Sequence, residues 1–212
     1  MPSHPVFAAL YDRLLADAEK KLLGQLRAEL LGSAQGRVLE LGAGTGLNLD
    51  HYGPLVKELA LTEPDPHMAK RMRGRIDSAT PRFGIEVAEV PAERLPFEDR
   101  SFDVVVSTLV LCTVQDAAAT IAAAARVLKP DGELLLIEHV RDEPQSRRAH
   151  WQDRGERPWG WAMAGCHPNR DTAATLSAAF DVSGLRDERM PGPLAALIKP
   201  LIVGGARPLA AG

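Results

Sequence analysis

The spacing of apolar positions divides the chain into one long helical stripe followed by an alternation of strands and helices. Leu10, Leu14, Leu15, Leu22, Leu23, Leu26 and Leu30 recur at intervals that place them on one helix face, predicting a helix over residues 7–31 that Gly32 stops. Beyond it, "RVLEL", "KELALTE", "FGIEVAEV", "SFDVVVSTLVL" and "ELLLIEHV" are apolar runs of strand length. Residues 46–57, "PDPHMAKRMRGRID" and "QDAAATIAAAARVLKPDG" read as the helices between them, the second with proline near its start and the third closed by a Pro-Asp-Gly turn. The fourth run is apolar almost throughout, as a parallel strand covered on both faces should be. This order predicts an α/β fold of Rossmann type, a right-handed, doubly wound parallel sheet with helices on both faces.

Residues 141–168 interrupt the alternation and hold all three tryptophans. After them "NRDTAATLSAAF" reads as a helix with Asn169 at its N-cap, then "DVSGLRDERM" and "LIKPLIVGGARP" as two closing strands. The "PGPLAA" between those strands is too short for a parallel crossover, so an antiparallel pair is expected. The length suits a single domain over 1–212: a helical cap over 1–32, a core over 37–140, an insertion over 141–168 and closing elements over 169–212.

Composition narrows the function classes. A formal net charge of −3 supplies no electrostatic reason to expect a nucleic-acid partner. No apolar run reaches the ~18 residues of a spanning helix, and the early prolines and charges of the opening segment argue against a signal peptide. The expectation is a cytoplasmic protein without a transmembrane segment. Cys112 and Cys166 form no CxxC pair, so a reducing compartment and no metal site are expected.

The candidate chemistry lies in "VLELGAGTGLNLDHY", where Gly42, Gly44 and Gly46 follow the first strand at the end where such sheets bind ligands. Leu47 stands where the dinucleotide fingerprint needs its last glycine, and no Gly-Lys-Ser/Thr follows. Glu40 would repel a phosphate and attract an ammonium. S-adenosylmethionine, a sulfonium with an amino-acid tail and no phosphate, suits that turn. Glu63 ends the second strand, where an acid can accept hydrogen bonds from ribose hydroxyls.

On "VLELGAGTG", "LTEPDPHM", "AERLPFEDRSFDVVVS" and "ARVLKPDGELLLIEHV", residues 37–140 resemble the class I S-adenosylmethionine-dependent methyltransferases of the type 11 methyltransferase-domain group. The resemblance implies a seven-stranded sheet with an antiparallel last strand. It implies Gly42, Ala43, Gly44 and Gly46 along the methionine portion, with Glu40 near its amino group. It also implies Glu63 at the ribose, Met68 against the adenine, Ala92 and Glu93 at the adenine edge, and Tyr11 towards the sulfonium end; Pro64 and Ser107, the latter at the end of the fourth strand facing the expected cleft, are further cofactor-side candidates. Pro91 stands where many relatives carry an acid that accepts from the adenine amino group.

A narrower likeness lies in "STLVLCTV", "EHV", "HWQDRGERPW" and "GCHPNRDT", which are similar to the methyltransferase-like protein 7 group, whose animal members methylate alkyl thiols at membranes. Trp151, Gln152, Trp159, Gly165, Cys166 and Arg170 fall in register with that pattern. This resemblance implies methyl transfer to a small, largely apolar acceptor, a thiol first, leaving S-adenosylhomocysteine. A phospholipid-amine or quinone-like acceptor and a non-catalytic S-adenosylmethionine sensor are the alternatives. "STLV" occupies the place where nucleic-acid amino methylases carry Asn/Asp-Pro-Pro-Tyr, and no basic stripe compensates.

Transfer from a sulfonium is an in-line displacement on an activated methyl, so alignment and exclusion of water are the protein's main tasks. A thiol acceptor must become a thiolate, from an unperturbed pKa of about 8.5. His139, at the end of the fifth strand, is the first candidate proton acceptor and His167 the second; a structural histidine is the alternative. Leu109, Trp151, Trp159 and Cys166 are the candidate acceptor-lining residues, with the tryptophans either a lid or core plugs. Cys166 and Cys112 are expected to pack rather than to attack, and a homodimer is left open.

Overall fold

Residues 4–79, 81–192 and 196–209 are described by the structure, a computed structural model, so part of the "PGPLAA" connection lies outside the described residues. Helix α1 (Pro5–Ala18) passes through one π-helical turn (Glu19–Leu23) into α2 (Gly24–Leu31). There follow β1 (Gly36–Leu41), β2 (Val56–Thr62), α3 (Pro66–Ser78), β3 (Gly84–Ala88), β4 (Phe102–Thr108), α4 (Ala117–Val127) and β5 (Leu128–His139). The chain closes with α5 (Arg147–Ala162), α6 (Thr172–Leu176), β6 (Phe180–Asp181), β7 (Leu185–Arg189) and β8 (Pro200–Pro208).

The strands lie in the order β3-β2-β1-β4-β5-β8-β6, with β7 also paired to β8. β1 to β5 are mutually parallel, and β8 runs against β5, β6 and β7. The predicted doubly wound sheet with one antiparallel strand is therefore present. It has eight strands rather than seven because a turn, in which Leu185 N–H donates to the Val182 carbonyl, splits "DVSGLRDERM" into β6 and β7.

Alternation across the sheet separates the core into layers. Leu39, Leu41, Val105, Leu134 and Leu136 face α4 and α6, where Ile121, Ala124 and Leu176 cover them. Val38, Leu59, Leu61, Val104 and Val106 face the other way, against Leu31 and the Ala69 and Met72 side chains of α3. Leu23 and Leu26 of the amino-terminal helix meet Ile137, Leu201 and Val203 of β5 and β8. Each fully buried leucine contributes about 1.5–3 kcal/mol, which is why these runs select the sheet. The topology turns from β1 outward to β2 and β3, then back across to β4 and β5, opening a crevice at the carboxyl ends of β1 and β4.

Several local expectations differ. Helix α4 stops at Val127, so "LKPDG" opens β5 instead of closing the helix with a turn. Residues 46–57, expected as a helix, form only a short 3-10 turn (Leu49–His51) before Val56 and Lys57 open β2. There, Asn48 and Tyr52 turn their side chains onto the buried Glu40 carboxylate, and Gly53-Pro54 end the segment. Helix α6 is capped by Asp171, which accepts from Ala174 N–H at 3.0 Å, not by Asn169, whose side chain bonds Asp153. Residues 141–168, read as an insertion with no element assigned, hold the 16-residue α5, started by a Ser146 cap on Ala149 N–H. No described helix is long and apolar enough to cross a membrane.

Candidate functional site

The glycine turn between β1 and the 3-10 turn holds Gly42, Gly44 and Gly46 at φ of +51°, +59° and +82°, a region side chains rarely enter. At Gly42 a Cβ would also meet the Val110 side chain at 2.9 Å, so the turn packs directly on the loop after β4. At Gly44 the space a Cβ would enter is open, touching only the Gly42 carbonyl oxygen at 3.9 Å. The bare backbone there faces the crevice. Glu63 closes the turn from the end of β2: its two oxygens accept from Gly44 N–H and Asp65 N–H, each at 2.8 Å. A carboxylate oxygen carries two lone pairs, so both retain capacity for ribose hydroxyls. Burial raises the Glu63 carboxyl above its ordinary range, and the two backbone donors oppose that shift.

Glu40 lies beneath the same turn, 3% exposed, accepting from Asn48 Nδ2 at 2.9 Å and from Tyr52 Oη at 2.7 Å. Burial pushes its carboxyl up to about 7, although both hydrogen bonds and the Arg27 charge pull it down. Arg27, on α2 and itself 3% exposed, donates to Asn48 Oδ1 at 2.5 Å and pairs with Glu19 of the π-helical turn at 2.8 Å. One polar chain thus runs from the amino-terminal helix through Arg27 and Asn48 to Glu40.

The same helix lies across the crevice. His4 N–H donates to Asp65 at 2.9 Å, and Asp12 accepts from Thr45 Oγ1 at 2.6 Å while pairing with Arg75 of α3 at 2.9 Å. Tyr11, next to that clasp, has its phenol raised chiefly by burial. At the other wall, Met68 is 7% exposed near the start of α3, beside Pro64 and the Asp65 cap, and Ala92 is 4% exposed. Glu93 turns one oxygen towards the start of α4, accepting from Gln115 N–H at 2.8 Å, while its other oxygen is buried with no partner among the described residues.

Between α1, the loop after β4 and α5 sits an apolar cavity of about 120 Å³. Tyr11, Leu14, Leu15, Leu109, Trp159 and Met163 supply its apolar walls, and Cys112, His139 and Cys166 its polar end. Leu109 adopts φ +57°, a strained conformation for leucine, held by its N–H donating to the Ile137 carbonyl at 2.9 Å. The loop is pinned from below by Glu138, fully buried, whose Oε1 accepts from Ser107 Oγ at 2.7 Å, Val110 N–H at 2.9 Å and Leu111 N–H at 3.2 Å. Ser107 is therefore turned into the core, at 0% exposure, rather than into the crevice.

At the polar end His139 Nε2 lies 3.1 Å from Cys166 Sγ, which also accepts from the Trp159 indole N–H at 3.3 Å. The sulfurs of Cys112 and Cys166 and a His139 ring nitrogen all fall within 4.8 Å of one another. Hydrogen bonding from Cys112, and then from Trp159, holds the Cys166 thiol below its ordinary value.

Five candidates from sequence, Tyr11, Leu109, His139, Trp159 and Cys166, line this one cavity. Two others lie apart. Trp151 is 59% exposed and does not line it, and His167 is half-buried with Nδ1 on Glu156 Oε1 at 2.8 Å. Sequence reasoning missed Asp12, Arg27, Asn48 and Glu138. For Glu138 the signal was present, an acid directly after the apolar run Leu134–Ile137 and immediately before His139; a lone arginine on a helix carried none.

Comparison with known proteins gives a consistent picture. Residues 39–136 match the family model described as a methyltransferase domain. The chain is 34% identical to the human thiol S-methyltransferase TMT1B, over 92% of this chain and 80% of that protein. It is 29% identical to human thiol S-methyltransferase TMT1A, over 94% and 82%. Among solved structures it is similar in fold to the N-methyltransferase NodS of Bradyrhizobium japonicum, crystallised with S-adenosyl-L-homocysteine, with a TM-score of 0.67, 20% identity and coverage of 92% of this chain and 90% of that one.

Proposed function

The chain belongs to the S-adenosylmethionine-dependent methyltransferase-domain family, and we propose that it transfers the methyl group to the sulfur of a small, largely apolar thiol. The observation that carries the acceptor class is the 120 Å³ cavity, apolar on its walls and ending in two cysteine sulfurs and a histidine, reached from the glycine turn along a single helix. Asp12 clasps the turn through Thr45 while Tyr11, one residue earlier, lines the cavity. The relatives named thiol S-methyltransferases, aligned over most of the chain, support the same class.

In this reading the turn from Gly42 to Gly46 holds the methionine portion of the cofactor, with Ala43 at its base and Glu40 near the ammonium. Glu63 and Pro64 take the ribose, and Met68, Ala92 and the Glu93 backbone flank the adenine. The methyl then points towards Leu109 and Tyr11, and an acceptor entering between α1 and α5 brings its sulfur in line. Leucine and aromatic walls exclude water, which would otherwise solvate the nucleophile. His139 stands where the acceptor loses its proton, which is the step an uncharged thiol needs before it can displace the sulfonium sulfur. Two free, buried cysteines support a reducing, cytoplasmic setting.

The test is a product screen with methyl-labelled S-adenosylmethionine against alkyl thiols, phosphatidylethanolamine and reduced quinones. A labelled methyl thioether formed together with S-adenosylhomocysteine supports the proposal. Label in lipid or quinone without thioether overturns it, and cofactor binding with no turnover on any acceptor assigns the chain to a sensor instead.

A further inference from the structure

Cys112, His139 and Cys166 come from three separate places in the chain: the loop after β4, the end of β5 and the segment after α5. Contacts outside the three side chains dock the Cys166 segment onto the Cys112 loop: His167 N–H donates to the Cys112 carbonyl at 2.8 Å, and Arg170 Nη1 donates to the Leu111 carbonyl at 2.5 Å. All three side chains are buried, at 2%, 2% and 8% exposure, and their potential ligand atoms lie within 4.8 Å of one another. His139 Nε2 faces Cys166 Sγ, and its Nδ1 is buried with no hydrogen-bond partner among the described residues, so no protein acceptor or donor there fixes which tautomer the ring adopts.

We propose that Cys112, His139 and Cys166 form a site for a zinc-type divalent ion, whose fourth position, opening on the 120 Å³ cavity, takes the sulfur of the acceptor thiol. The inference rests on the thiol reading above and deepens it. Two thiolates and one imidazole form a donor set that soft and borderline ions prefer, and three protein ligands with an open position mark a zinc site built for chemistry rather than for structure. Bonds of ~2.3 Å to sulfur and ~2.1 Å to nitrogen put tetrahedral ligand atoms roughly 3.5–3.8 Å apart. The observed spacing, 3.1 Å between His139 and Cys166 and under 4.8 Å throughout, brackets that geometry. The Trp159 indole N–H, 3.3 Å from Cys166 Sγ, supplies the outer hydrogen bond that orients a ligating sulfur.

The ion resolves the chemical difficulty of the reaction. A thiol that coordinates it gives up its proton to solvent as it enters, so the acceptor is a metal-bound thiolate at neutral pH and His139 serves as a ligand of the ion rather than as the base. The sulfur lone pair forms the new S–CH3 bond while the CH3–S⁺ bond of the cofactor breaks. The bonding electrons remain on the departing sulfur, which becomes the neutral thioether of S-adenosylhomocysteine. The methylated product is also a neutral thioether, a weak ligand, and it leaves. No electron is gained or lost overall.

The test is titration of the chelator-treated full chain with Co²⁺, followed by optical absorption, with no cofactor or acceptor present. Expected are thiolate-to-metal charge-transfer bands and intense tetrahedral d–d bands saturating at one ion per chain, lost on addition of Zn²⁺, and perturbed when a small alkyl thiol is added. Cys112→Ser and Cys166→Ser should each weaken binding by roughly 100-fold or more, with circular dichroism confirming that both remain folded. Absence of the bands, or the same bands in both serine variants, overturns the site. Thioether formation at full rate by the metal-free protein overturns its role while leaving the thiol reading standing. No thioether from the ion-loaded protein sinks the thiol reading itself, whatever the cobalt spectrum shows.

Discussion

Replacing Glu40 by glutamine tests how the glycine turn is charged. Glu40 is held by Asn48 and Tyr52 in a site where burial lifts its carboxyl from the usual 4.5 to about 7. A group whose folded-state value is raised contributes its stability below its unfolded value and loses it as pH rises through the folded one. Stability is therefore full below pH 4.5 and declines until about pH 7, by about 3 kcal/mol in total. Glutamine keeps an acceptor for Asn48 and cannot ionise. Chemical denaturation of the cofactor-free protein at pH 5 and pH 8, read as the difference between wild type and Glu40→Gln, cancels every other titrating group. The difference should move in favour of the variant by about 2.5 kcal/mol between the two pH values. In thermal melts this is a relative shift of roughly 5–10 °C. Parallel pH curves for the two proteins would refute the reasoning, because they would mean that Glu40 titrates alike folded and unfolded. If the cofactor ammonium sits beside Glu40, binding near pH 6.5 must also release part of a proton, and calorimetry in buffers of different ionisation enthalpy should see that release in wild type alone.

If Glu63 holds the ribose as proposed, Glu63→Ala removes the charged acceptor of two hydrogen bonds and should raise the dissociation constant for S-adenosylmethionine roughly 30-fold or more, measured by calorimetry; unchanged affinity contradicts the ribose assignment. Arg27→Ala leaves the buried Asn48 Oδ1 without its donor and the partly exposed Glu19 without its cation, and should cost about 1–3 kcal/mol, with faster proteolysis of the amino-terminal helix as the second readout. Gly42→Ala combines φ +51° with a 2.9 Å approach to Val110 and should abolish cofactor binding before it abolishes folding. Gly74→Ala, in α3 with nothing within 4 Å of the new methyl, should stabilise the protein by about 0.5–1 kcal/mol without changing turnover.

What the sequence discloses follows from how local each signal is. The parallel strands were legible because burial on both faces writes an unbroken apolar run, and the glycine turn because its spacing survives without any partner. Residues 46–57 misled because helical spacing there competes with a buried carboxylate that captures Asn48 and Tyr52, and Glu40 gave no hint of reaching forward to them. The cavity was half legible: individual wall residues could be named from the resemblance, yet nothing in the order of the chain said that Cys112 and Cys166, 54 residues apart in sequence, would flank one histidine. The Arg27 chain was hidden for the same reason, since its partners Glu19, Asn48 and Glu40 are brought together only when the amino-terminal helix lies across the sheet.

The most direct measurement is a crystal structure with S-adenosylhomocysteine bound. The account predicts its ribose on Glu63, its amino-acid tail along Gly42 to Gly46, and its sulfur at the mouth of the cavity between Tyr11 and Leu109, aimed at His139 and the two cysteines. A nucleoside lodged instead in the open groove at the opposite end of the strands, among Arg37, Asp103 and Lys129, or a sulfur facing away from that cavity, would contradict it.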